Sequence, residues 1–99
     1  MVTPKNFQKK FGINKYKIYH SRHWIWSLRP HQATCGSGIV SLKRECPTLA
    51  KVKLEEFNDL KNIVVVIEST LKDIFNYDVI NYLMLMMVDK HVHFHIFPR

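Results

Sequence analysis

The sequence predicts an α+β fold, an antiparallel sheet of about five strands packed with one long and one short helix. Three observations carry that prediction. Short stretches between Lys15 and Lys43 alternate or are rich in strand formers. From Leu54 the apolar spacing changes to threes and fours, a helical period. The chain then closes on His91-Val92-His93-Phe94-His95-Ile96-Phe97-Pro98-Arg99, whose first six residues keep a strict period of two.

A chain of 99 residues reads as one domain, 1–99, with room for a single core, and its small size makes oligomerisation a source of further burial. The apolar runs at 63–67 and 82–88 fall far short of the ~20 residues a membrane-spanning helix needs. Residues 1–14 lack the apolar centre of a secretory signal. Cys35 and Cys46, in a chain without an export signal, read as reduced packing thiols and point to a cytoplasmic protein. Charge is one-sided: Lys5, Lys9, Lys10, Lys15, Lys17, Arg22, Arg29, Lys43 and Arg44 are accompanied by no acid before Glu45. Such a field draws phosphates, or else serves as a solvated basic face that keeps the protein soluble. Nucleic acid is not an expected partner, because no nucleic-acid motif accompanies the charge.

In chain order, Thr3-Pro4 opens a short helix carrying Phe7 and Phe11 one turn apart, and Gly12 and Asn14 break it. Residues 15–19 and 23–28 form an antiparallel hairpin ended by Pro30, which cannot donate to a ladder. Residues 31–36 are a loop and 38–43 the next strand. A connector interrupted by Pro47 leads to the long helix, with no good capping residue before it. Leu54, Phe57, Leu60, Val64, Ile67, Leu71 and Ile74 make its core stripe, widened by Ile63, Val66 and Phe75. Glu55 and Glu56 favour its first turn, and 76–78 end it. Residues 79–87 are a further strand, with Met84, Met86 and Met87 as core or interface filler, and 88–90 a tight connection to the last strand.

On that last strand His91, His93 and His95 share one face, roughly 6.5–7 Å apart, while Val92, Phe94 and Ile96 face the core. Imidazole is a nucleophile, a proton shuttle and a metal ligand. Two such histidines can reach one zinc, and a metal-binding module using His91, His93 and His23 or His31 is an alternative reading. The other candidates, His20, His23, His31, Cys35 and Cys46, show no ligand spacing such as C-x-x-C, so no metal or other cofactor is expected.

The segment His91-Val92-His93-Phe94-His95-Ile96-Phe97 resembles the His-φ-His-φ-His-φ-φ signature of the histidine triad (HIT) family of nucleotide hydrolases and transferases. Asn81-Tyr82-Leu83-Met84-Leu85-Met86-Met87-Val88-Asp89, and the run from Gln32 to Arg44, resemble its short-chain branch. The similarity spans about residues 16–99. It implies a HIT-like fold, a homodimer, and a small-molecule nucleotide substrate that is a phosphoramidate or phosphoanhydride. It also implies His93 as nucleophile, His95 as phosphate contact and leaving-group assistant, and His91 lining the phosphate pocket. A covalent nucleotidyl-histidine would then pass to water or another acceptor. Gln32, Arg29 and Lys90 are substrate-contact candidates from loop position and charge. The alternative within the family is a nucleotide binder with little turnover. The chain departs from the family at Glu45, where many members have a further histidine, at Met87-Val88-Asp89-Lys90, and at Arg99, where relatives continue with a pocket-closing tail that this chain is expected to lack.

Overall fold

The computed structural model describes residues 7, 10–85 and 89–99. Strands β1 (Lys17–His20), β2 (Trp24–Leu28) and β3 (Gly38–Leu42) precede a 3₁₀ turn (Leu49–Lys51) and helix α1 (Leu54–Phe75). Strands β4 (Ile80–Leu83) and β5 (His93–Pro98) follow. The five strands form one sheet in the order β1-β2-β3-β5-β4. Every pairing is antiparallel, as expected. The last strand of the sequence is therefore bonded on both sides, to β3 and to β4. No helix among the described residues is long and apolar enough to cross a membrane.

Alternation on the strands divides the core by face. Trp24, Trp26, Val40, Leu42, Val92 and Ile96 meet Ile63, Ile67 and Leu71 of α1 on one side. On the other, Ile25 and Ile39 pack with Phe7, Ile13 and Phe11. Cross-strand register puts Ile25, Ser41 and His93 in one row and Ser27, Ile39 and His95 in the next. The face away from α1 is thus the histidine face. Phe7, Lys10 and Phe11 are helical, and Gly12 ends the turn at φ +60°, where an added Cβ would lie 2.7 Å from the Tyr16 ring. The expected cap at Thr3-Pro4 lies outside the described residues.

Three expectations are corrected. The core stripe of α1 is rotated: Leu54 is 76% and Ile74 65% exposed, whereas Glu56, Asp59, Ile63, Ile67 and Leu71 are buried. Phe57 and Phe75 are exposed as well. Two carboxylates can face inward because both are satisfied. Glu56 takes the Arg44 guanidinium through both oxygens (2.9 and 3.0 Å) and accepts the Lys53 N–H (2.8 Å). That last bond caps the helix whose start seemed bare. Asp59 accepts from Ser21 Oγ at 2.6 Å and the His23 N–H at 2.7 Å. Burial raises its pKa, but these bonds and Asn62 overcome that and hold the carboxyl below its usual range. Trp24 Nε1–H adds a bond to Glu56 O, tying β2 to the helix start.

Secondly, β4 stops at Leu83, well before Met87. Met84 packs on the core, and Met86, Met87 and Val88, the first residue of the expected tight connection, lie outside the described residues. Thirdly, β5 begins at His93 rather than His91. Val92 instead bridges two segments, donating to Cys46 O (2.8 Å) and accepting from the Leu42 N–H (3.2 Å).

Candidate active site on the histidine face

The three imidazoles share a face but not an environment. His93 is central and 1% exposed. Its Nδ1 lies 2.5 Å from the carbonyl oxygen of His91. A carbonyl only accepts, so Nδ1 carries the proton and Nε2 keeps the lone pair. That is the tautomer a nucleophilic ring requires. The His95 ring stands edge-on at 4.9 Å between centroids.

His91 is engaged by backbone at both nitrogens. Nε2–H donates to Leu42 O (2.8 Å), and Nδ1 accepts the Cys46 N–H (3.4 Å). Burial holds its pKa below the ordinary histidine value, partly offset by the bond to Leu42. Both ring nitrogens of His91, expected to line a phosphate pocket, are thus bonded to backbone at the end of β3 and in the segment after it.

His95 lies between Phe11 (5.8 Å) and the stacked Phe97 ring (6.3 Å). Burial, then the neighbouring His93 and Arg29, push its pKa down to about 4, against a small opposing effect of Asp89. In the free protein it is thus neutral near pH 7. Its Nδ1 and Ser41 Oγ are buried without a partner among the described residues. Both belong to the rows of the histidine face. Buried polar atoms lacking partners are uncommon, and two on one face suit a polar guest.

The other predicted contacts separate. Arg29 sits over the Phe97 ring at 5.5 Å and acts electrostatically on His95, so it does belong to this face. Gln32 is turned into its own loop: its amide N–H groups donate to Arg29 O and Ser37 O (2.7 Å each), and its oxygen accepts the Gly36 N–H (3.0 Å). Both ends of that side chain are consumed in bracing its own loop, where Gly36 adopts φ +86°. Lys90 is exposed beside His91. Among the described residues no group of three or more His, Cys, Asp or Glu side chains is arranged to hold a metal ion.

Sequence reasoning missed the cover. The Phe7 ring lies 5.2 Å from His91 and 4.8 Å from His93, and Phe11 lies 6.2 Å from His93. Lys10 pairs with Asp89 at 2.9 Å beside them. The spacing of Phe7 and Phe11 announced an apolar helical face, but nothing local said that a segment some eighty residues away would receive it.

This fold is that of the histidine triad proteins, and with His93 and His95 on β5 and His91 just before it, it supports the assignment to the HIT family. Among solved structures, a HIT family protein from Bacillus anthracis superposes with TM-score 0.75 at 25% identity, over 84% of this chain and 62% of its own. A HIT family member from Bacillus subtilis gives 0.78 at 24% identity, over 94% and 71%. The NitFhit protein of C. elegans gives 0.77 at 25% identity, over 85% of this chain but 22% of its own. No protein-family model and no curated protein sequence matches the chain.

Proposed function

We propose that this chain binds a nucleotide and cleaves its phosphoramidate or phosphoanhydride through a covalent nucleotidyl-His93 intermediate. The observation that carries this reading is the bond from His93 Nδ1–H to His91 O, which leaves Nε2 with its lone pair. In the first step that pair attacks phosphorus, and the bond from phosphorus to the leaving amine or phosphate breaks. The leaving group departs with a proton from the His95 imidazolium that the bound phosphate favours. In the second, a water oxygen or another acceptor attacks phosphorus and gives its proton back to His95, and the P–N bond to His93 breaks, restoring the neutral ring. His95 is the group beside that phosphorus. Neutral in the free protein, it becomes more basic when an anionic phosphate arrives, since a nearby negative charge favours the imidazolium. Phosphoryl chemistry rests mainly on positioning and charge, and Arg29 supplies a fixed cation on the same face. The residues 1–99 act as one unit, and the exposed Val79 and Leu83 at the β4 edge support a homodimer.

A second reading has its own observation. His93 is 1% exposed beneath Phe7, which favours a nucleotide binder with little turnover. One experiment separates the two. Wild type and His93→Ala are incubated with an adenosine phosphoramidate and a dinucleoside polyphosphate, with product release and intact mass followed. The enzyme reading expects turnover, a transient mass increment of one nucleotidyl group, and a loss of roughly a thousandfold or more on substitution. Nucleotide binding with equal, negligible turnover in both proteins would establish the binder instead.

A further inference from the structure

The histidine face differs on the two flanks of His93. Phe7 and Phe11 cover one flank, but past His95 the face opens into a cavity of about 340 Å³ lined by Thr34, Asn81, Leu83, Phe97 and Arg99. Sheet register fixes its place. Leu83 is paired with His95 and Asn81 with Phe97, and cross-strand partners share a face, so the cavity begins in the His95 row. The Phe97 ring that walls it stacks on His95 at 6.3 Å, and Arg29 lies over the same ring at 5.5 Å. Leu83 and Phe97 make the cavity apolar, and its volume is that of a small-ligand site.

Charge beside it is positive. None of these lining side chains is acidic. Asp89 is the carboxylate that acts on His95, and Lys10 already holds it at 2.9 Å. Arg29 forms no ion pair among the described residues. A group displaced from phosphorus at His93 departs past His95, toward this cavity and this cation.

We propose that the cavity is a leaving-group subsite: Arg29 selects an anionic phosphate over an amine as the departing group, and Leu83 and Phe97 hold an apolar ring carried on that phosphate. This rests on the enzyme reading and narrows its substrate to a phosphoanhydride. His93 Nε2 bonds to phosphorus, the P–O bond to the departing phosphate breaks, and the oxygen keeps the electron pair and takes the His95 proton. The departing phosphate is an anion throughout and is drawn to Arg29, whereas a departing amine is neutral or cationic and gains nothing there.

Matched substrates separate charge from ring: the β-methyl and β-benzyl esters of ADP, and the methyl and benzyl amidates of AMP. P–O and P–N bonds differ in intrinsic reactivity, so the reading is the change in kcat/KM between protein variants. Arg29→Gln should lower both anhydrides about tenfold more than both amidates, and Arg29→Lys should restore part of that difference. In wild type benzyl should exceed methyl about tenfold among the anhydrides, and Leu83→Trp, which fills the cavity, should abolish that gain. An Arg29→Gln loss equal across all substrates overturns the charge selection. A benzyl gain that is absent, or that survives in folded Leu83→Trp, overturns the subsite. Should Leu83→Trp not fold, methyl NMR of wild type decides: benzyl phosphate must shift the Leu83 methyl signals more than benzylamine does, and less so in Arg29→Gln. If no substrate is turned over, the enzyme reading alone fails, and the same titration still upholds or refutes the subsite.

Discussion

His95 shows how the place of a side chain can be legible in the sequence while its charge is not. Its position on the strand follows from a period of two, but its protonation follows from neighbours distant in sequence. Burial comes first, then His93 and Arg29, and together they put its pKa near 4 against an ordinary 6.5. Burial lowers His91 in the same direction. For such bases the unfolded chain takes up protons first on acidification, so the folded state loses its advantage as pH falls. The contribution is complete above about pH 6.5 and is lost progressively toward pH 4. Glu56, held down chiefly by Arg44, loses its contribution only below the ordinary carboxylate range, so the two windows are separable. Thermal melts should therefore fall between pH 7 and pH 4.5, and His95→Asn should flatten that fall. A melting temperature indifferent to pH across this window in wild type would mean that His95 is not held neutral by the fold.

At the scale of the element, α1 was legible in extent and misread in orientation. Period-based reading found its start and end because Leu54 to Phe75 is densely apolar with spacings of three and four. It could not choose the inward face, because apolar residues lie nearly all round and the decisive inward positions hold Glu56 and Asp59. Their partners, Arg44, Ser21 and the His23 N–H, come from other elements, so the compensation is invisible along the helix. The strands fared better, since alternation alone separates two faces. Ile63→Ala, which removes a fully buried side chain, should cost about 2–5 kcal/mol in urea denaturation. Leu54→Lys, at 76% exposure, should stay within about 0.5 kcal/mol of wild type. The opposite order would restore the stripe read from periodicity. The site divides in the same way: that His91, His93 and His95 share a face was legible in the period of two, whereas the Gln32 brace and the bonds at both His91 nitrogens depend on backbone groups that no side-chain pattern encodes.

Over the whole molecule, the two ends of the chain meet on the histidine face, and how they are held together decides whether His93 can be reached. Two interactions are candidates. The Lys10–Asp89 pair spans the junction at 2.9 Å, but its side chains are 50% and 23% exposed. Exposed ion pairs contribute only about 0–1 kcal/mol and weaken with salt. Phe7 is 4% exposed, with its ring against both His91 and His93. Burying a side chain of that size is worth about 1.5–3 kcal/mol. Apolar burial should therefore dominate, and an increment of that size corresponds to roughly ten- to a hundredfold in the fraction of molecules with His93 uncovered. Carbethoxylation of His93 by diethyl pyrocarbonate, followed by peptide mass mapping, reads that fraction. Phe7→Ala should raise the His93 rate by about tenfold or more, while Lys10→Ala and added salt should change it little. If Lys10→Ala and salt accelerate the reaction as much as Phe7→Ala does, the ends are joined by charge. If none of the three changes the rate, His93 is already open to solvent, and the argument for a slow, covered site falls while that for a nucleophile gains.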